Sequence, residues 1–199
     1  MTRRLIALAG PPGAGKSTLA PLLAAALGAR VVPMDGFHLD NALLDEGGLR
    51  ARKGAPETFD TAGLRHALMR LKAGEDGVIL PAFDRDRDAA IAGAIRITAR
   101  DRVLVVEGNY LLAALPGWAE LAPLWDAAVL LEVPQAELRR RLTARWQGYA
   151  LPPAEVAARL ANDLANAATV AATARGATLR VAEDAPPEAL AARIAAALR

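Results

Sequence analysis

The sequence predicts an α/β fold, a three-layer sandwich with a mainly parallel five-stranded sheet and a helical lid. Three observations predict it. Apolar runs of strand length alternate with helical stretches along the chain, the pattern of a parallel sheet covered on both faces. The runs at 102–106 and 127–133 are strongly apolar, as strands buried on both faces are. Residues Gly10 to Thr18 read G-P-P-G-A-G-K-S-T, which fits the phosphate-loop pattern G-x-x-x-x-G-K-[ST] at every position and stands between a strand and a helix as that motif requires.

Taken in order, strand one covers 3–9 and ends in the phosphate loop. Glycines at 10, 13 and 15 keep Cβ atoms out of the way, so the backbone can curl around phosphate oxygens. Its N–H groups form an anion nest at the N-terminus of helix 16–27. In such a P-loop NTPase site, Gly10, Gly13, Ala14, Gly15, Lys16, Ser17 and Thr18 hold the triphosphate of ATP. Lys16 reaches the β- and γ-phosphates, and the Ser17 hydroxyl is a ligand to Mg²⁺. Ser17 is the only serine in the chain and Lys16 one of three lysines. Gly28 closes the helix, and strand two covers 30–34. Residues 36–60 read as irregular, broken by Gly36, Gly47, Gly48, Gly54 and Pro56. Residues 61–73 form an amphipathic helix, and 78–98 hold short extended pieces around Phe83 and at 95–97. Strands follow at 102–106 and 127–133. Then come a helix at 134–147 with Pro134 in its first turn, a helical stretch at 153–175 with one or two breaks, a strand at 178–182 and a helix at 187–198.

A chain of 199 residues with 53% hydrophobic content forms one domain, 1–199. Within it 35–60 is the acceptor-side loop and 134–166 the lid and substrate-side helices. No apolar stretch reaches the ~20 residues of a membrane span. A signal peptide would have to remove the phosphate loop, so the expected location is cytoplasmic. Cysteine is absent, which excludes disulfides, thiolate zinc sites and thiol nucleophiles. The net charge is +2 and the arginines are scattered. That composition favours a small anion over nucleic acid. The expected partner is a small-molecule hydroxyl acceptor, with no nucleic acid and no membrane; a homodimer is left open.

In parallel sheets ligands sit at the carboxyl ends of the strands. After strand two comes M-D-G-F-H. Asp35 there is a candidate to take the proton of an accepting hydroxyl, its alternative being an Asx turn ahead of Gly36. His38 is a candidate substrate contact. After the most apolar strand comes V-V-E-G-N-Y, placing Glu107 at the metal and Asn109 and Tyr110 near the substrate. Arg141 and Arg145 lie four apart on one helical face, where a phosphate would relieve their repulsion; the alternative pairs Glu137 with Arg141. Arg52 and Lys53 stand in the acceptor-side loop, and Phe83 and Asp84 in a polar-aromatic cluster that closes the same pocket. Residues 178–185 follow the last strand and are a candidate for contacting the base.

These residues make the chain resemble the P-loop kinases that include uridine kinase, phosphoribulokinase and bacterial pantothenate kinase. Four collinear segments over about 150 residues carry the resemblance: G-P-P-G-A-G-K-S-T, M-D-G-F-H, R-K-G-A-P-E-T-F-D and V-V-E-G-N-Y-L-L. The second and third are most similar to the pantothenate-kinase branch and its small relatives, some labelled fructose transport system kinases. The resemblance implies Asp35 as catalytic base and Glu107 as the acidic residue at the metal and reacting centre. It implies a lid role for Arg141 and Arg145, and an acceptor-side asparagine pair in Asn162 and Asn166. Where uridine kinases carry an aromatic–Asp pair followed by His and Arg, this chain has F-D-R-D-R-D. It is also expected to lack the extra N-terminal segment of pantothenate kinases. The expectation is an ATP- and Mg²⁺-dependent kinase acting on a small metabolite hydroxyl, with a sugar such as fructose favoured. The alternatives are a nucleoside or pantothenate kinase, or a P-loop switch or regulator with no acceptor.

Overall fold

A computed structural model describes residues 2–182 and 185–198. The strands are β1 (Arg4–Ala9), β2 (Arg30–Pro33), β3 (Val78–Asp84), β4 (Ala89–Ile97), β5 (Val103–Gly108), β6 (Ala127–Glu132) and β7 (Leu179–Ala182). The helices are α1 (Lys16–Leu27), α2 (Asn41–Glu46), α3 (Thr61–Lys72), α4 (Gln135–Gln147), α5 (Pro153–Thr173) and α6 (Pro187–Ala197). Five strands form one parallel sheet in the order β2-β5-β1-β6-β7.

Strand β1 is central, and alternation along it assigns its side chains to two faces. Leu5 and Ala7 belong to a core closed by Leu64 and Leu68 of α3 and by Trp118. Ile6 and Leu8 belong to a second core closed by Leu19 and Leu23 of α1 and by Leu190 and Ile194 of α6. These are the three layers. Register then places the chemistry: Leu8 pairs with Glu107 and Ala9 with Gly108, so the loop leaving β1 begins beside the carboxyl end of β5. At the opposite end Arg3 is 2% exposed and donates to the carbonyls of Asp101, Leu71 and Thr98 at 2.9, 3.0 and 3.0 Å. Its charge is balanced there by backbone dipoles.

The fold departs from the sequence expectation in three places. Residues 78–98 form a full antiparallel hairpin, a separate two-stranded sheet of β3 and β4 with an irregularity between Leu80 and Ala82. Much of β4 is small and exposed, so it shows no apolar alternation. The stretch at 153–175 contains one unbroken helix, α5, opened by Pro153 in its first turn. Residues 36–60 are more ordered than expected: Asp40 caps α2 by accepting from the Ala42 N–H at 2.9 Å, and tight turns occupy 50–52 and 56–58. Boundaries also shift. β5 runs through Gly108, which makes Glu107 a strand residue, and Pro134 stands just before α4. Of the segment at 178–185, residues 183 and 184 lie outside the described residues.

Candidate active site

The phosphate loop has the backbone that its glycines permit. Gly13 and Gly15 sit at φ 79 and φ 87, left-handed positions that an L side chain strains. Gly15 is also the N-cap of α1 and supplies no side-chain acceptor, so the first N–H groups of the helix are open to an anion. Gly10 and Ala14 support the loop from beneath. A Cβ at Gly10 would come within 3.0 Å of the Leu131 Cβ, and Ala14 is buried in the second core.

Lys16 is 7% exposed and donates from Nζ to the Pro11 carbonyl at 3.0 Å and to Asn109 Oδ1 at 2.7 Å. Burial lowers its ammonium to about 8, against the pull of Glu107 and Asp35. Ser17 donates to Glu107 Oε1 at 3.3 Å. Burial pushes the Glu107 carboxyl up, with Lys16 opposing. Hydroxyl and carboxylate are hard oxygen donors suited to Mg²⁺, which takes one or two carboxylates and fills its remaining positions with phosphate and water. The described residues hold no cluster of three or more His, Cys, Asp or Glu that could hold a metal ion.

Across the cavity stands Asp35, in the tight turn Met34–Phe37 that ends β2. The turn lies against β3: a Cβ at Gly36 would sit 2.4 Å from the Pro81 carbonyl oxygen. The His38 ring is flanked by Phe59 and Phe83 at centroid distances of 4.0 and 4.7 Å. Its Nδ1 donates to the Asp35 carbonyl at 2.8 Å, and burial lowers its affinity for a proton. Lys53 donates to Asn41 Oδ1 at 2.7 Å and pairs with Asp88 at 2.8 Å, over the ring of Phe83. From α5, Asn162 donates to the Lys53 carbonyl at 2.9 Å. Asn166 is 4% exposed, and its carboxamide makes no hydrogen bond among the described residues.

One cavity of about 660 Å³ joins these groups. Of the loop it takes in Gly13, Gly15, Lys16, Ser17 and Thr18. Asp35, His38, Lys53 and Phe83 line it, as do Glu107 and Asn109, Arg145 of α4, and Asn162 and Asn166 of α5. Four other predicted residues lie outside it. Arg52 is exposed and pairs with Glu57 at 2.7 Å. Asp84 is taken up by its own turn, accepting from the Asp86 and Arg87 N–H groups at 3.0 Å each. Tyr110 is fully buried and donates to the Gly54 carbonyl at 2.8 Å; it braces the 50–58 segment. Arg141 pairs with Glu137 at 2.6 Å and donates to the Gly13 carbonyl at 3.4 Å, so the Glu137–Arg141 pair is formed. Arg140 and Arg141 together hold the Glu137 carboxyl down at about 2.

The cavity also takes in Arg85, from the polar-aromatic cluster at 81–87, and Trp146 and Asp163, which the sequence did not single out. Arg85 pairs with Asp35 at 3.1 Å. Trp146 donates its indole N–H to Asp163 at 2.9 Å and lies under Arg159, tying α4 to α5. The signal for Asp163 was its place between Asn162 and Asn166 on one helical face. Nothing local marked Trp146.

Site and fold together define a phosphate-loop nucleotide-binding protein, and comparison with known proteins narrows the class. Residues 6–156 match the family described as AAA domain. The chain is 39% identical to the uncharacterized protein YggC of Escherichia coli, across 72% of this chain and 62% of that one. It is 34% identical to the pantothenate kinase of Streptomyces avermitilis, across 72% of this chain and 47% of that enzyme. The chain thus spans about half to two thirds of the length of these curated relatives. The crystal structure of a candidate fructose transport system kinase from Silicibacter sp. TM1040 superposes with a TM-score of 0.87 and 50% identity, over 90% of each chain. The chain belongs to the P-loop family, within the group of kinases that includes uridine and pantothenate kinases.

Proposed function

We propose that the protein is an ATP-dependent kinase that transfers the γ-phosphoryl group to a hydroxyl of a small metabolite. The observation that carries this reading is that Lys16, Ser17, Glu107 and Asp35 open onto one cavity. Lys16 would exchange its contacts with Pro11 and Asn109 for the β- and γ-phosphates, and the open N–H groups of α1 would hold the remaining oxygens. Ser17 and Glu107 would hold Mg²⁺, which when bound neutralises charge developing on the phosphates. Asp35 takes the proton as the acceptor oxygen attacks phosphorus. One P–O bond forms, the bond to the bridging β–γ oxygen breaks, and ADP leaves. Arg145 brings a cation within electrostatic reach of Lys16, where it can offset charge on the transferring group.

A sugar or other polyol suits the acceptor side best. That side offers the Asn166 carboxamide, which has no hydrogen bond among the described residues, the Asp163 carboxyl and the Phe83 and Trp146 rings, which match a hydroxyl-rich molecule with apolar C–H faces. The name borne by the Silicibacter protein points the same way. Pantothenate is the second reading, favoured by the pantothenate kinase relatives. The test is ADP release from ATP·Mg²⁺ against sugars, polyols, nucleosides and pantothenate. Turnover that rises with one acceptor class supports the kinase and names the class. Equal turnover with and without every acceptor points to an NTPase switch. Asp35→Asn should keep ATP binding and lose at least about 100-fold in transfer, the scale of general acid–base catalysis; near-normal transfer removes Asp35 from the mechanism.

A further inference from the structure

Arg85 stands at the tip of the β3–β4 hairpin, the segment where this chain reads F-D-R-D-R-D. Its guanidinium donates to Asp35 Oδ2 at 3.1 Å. The other carboxylate oxygen of Asp35, Oδ1, makes no hydrogen bond among the described residues. Arg85 lines the same cavity as Lys16, Glu107 and Asp163.

The hairpin tip is fixed at both ends of its turn. Asp84 accepts from two backbone N–H groups of the turn and pairs with Arg87. Asp88 holds a left-handed backbone at φ 52, uncommon for a residue with a side chain. Its carboxylate binds Lys53 at 2.8 Å and the Asn41 amide at 2.9 Å, so the tip is pinned to the acceptor-side loop. Pro81 of the same hairpin packs on Gly36, next to Asp35. An arginine carried on so braced a turn can set the direction of the carboxylate that it grips.

We propose that Arg85 is a positioning residue for the base: it occupies Oδ2 of Asp35 and leaves Oδ1 facing the accepting hydroxyl. The inference rests on the kinase reading of Asp35. A carboxylate rotates freely about its Cα–Cβ and Cβ–Cγ bonds, and one fixed partner removes that freedom before substrate arrives. The guanidinium has several further N–H donors with fixed directions, and these stay available to the cavity. The same arrangement makes the hairpin, the acceptor loop and the base one mechanical unit.

The test is a double-mutant cycle on the full chain with Asp35→Asn, Arg85→Met and the double variant, plus Arg85→Lys. Rates are read as ADP release with the most active acceptor of the panel and with water as acceptor. Arg85→Met should lower kcat about 10- to 100-fold, the scale for a misdirected catalytic group, and leave KM for ATP within about twofold. Arg85→Lys should restore part of the loss. The double variant should be no slower than Asp35→Asn alone, because Arg85 acts through Asp35. Losses that multiply overturn the proposal while leaving Asp35 as the base. A near-normal Asp35→Asn overturns the kinase reading of Asp35 and the proposal with it. The Arg85 side chain is 64% exposed, so misfolding is not expected, and the unfolding midpoint of Arg85→Met checks this.

Discussion

The Asn166 carboxamide lies buried on α5 without a hydrogen bond among the described residues, a state that costs about 1–3 kcal/mol. A leucine of similar size removes that cost and with it the group available to an acceptor. Asn166→Leu should therefore keep or raise the unfolding midpoint while raising acceptor KM at least about tenfold, the trade expected at a binding site. A fall in both stability and affinity would make Asn166 a packing residue. His38 gives a pH signature. Burial between Phe59 and Phe83 holds its imidazole below the ordinary value of 6.5. Above that value the ring is neutral both folded and unfolded and contributes no pH dependence. As pH falls through it, the unfolded chain takes the proton first, so stability is lost until the folded ring also protonates. Urea midpoints at about pH 7.5 and about pH 5.5 should differ more for the wild type than for His38→Gln. An equal difference would mean that the ring titrates as if in water.

At the scale of elements, the turn that carries Asp35 depends on Gly36 lying flat against β3. A Cβ there meets backbone, at 2.4 Å from the Pro81 oxygen and 2.7 Å from its carbon, and backbone cannot give way as a side-chain tip can. Gly36→Ala should cost about 1–3 kcal/mol, the range for overpacking, and should also slow transfer, since Asp35 moves with the turn. A lower unfolding midpoint with unchanged kcat would mean that the hairpin yields instead. The sequence marks Gly36 as a breaker ahead of an acidic residue but not what it packs on. That contact joins β2 to a hairpin more than 40 residues away, as Gly36 and Pro81 show. The sequence shows extended pieces within 78–98 but not their pairing into one hairpin, because Ala89, Ala90, Ala92, Gly93 and Ala94 carry no hydrophobic pattern. Helix α5 is alanine-rich, and its sequence suggests one or two breaks; its single face, with Asn162, Asp163 and Asn166 on the cavity, emerges only when α4 and the loop carrying Lys53 pack against it.

For the whole molecule, the sheet brings the phosphate loop, Glu107 and Asp35 together at the carboxyl ends of its strands, through the parallel pairing of β1 with β5 and of β5 with β2. That much was legible locally, because each group directly ends or follows an apolar strand. The segment 81–87 is legible as a cluster beside the pocket, but the grip of Arg85 on Asp35 and the place of Trp146 are not, since both depend on tertiary contacts that no local pattern encodes. Binding of ATP·Mg²⁺ to the folded chain alone should stabilise it by about 2.7 kcal/mol at a ligand concentration 100 times Kd. Asp35→Asn should keep this thermal shift and Lys16→Ala should lose most of it; a full shift in Lys16→Ala would place the nucleotide elsewhere. The most direct test of phosphoryl transfer is phosphorus NMR of the protein with ATP·Mg²⁺ and the acceptor panel. The expected result is a phosphomonoester resonance that grows as the γ-phosphate signal falls, and that is absent with Asp35→Asn. Growth of inorganic phosphate alone, in the presence of every acceptor, would contradict a kinase.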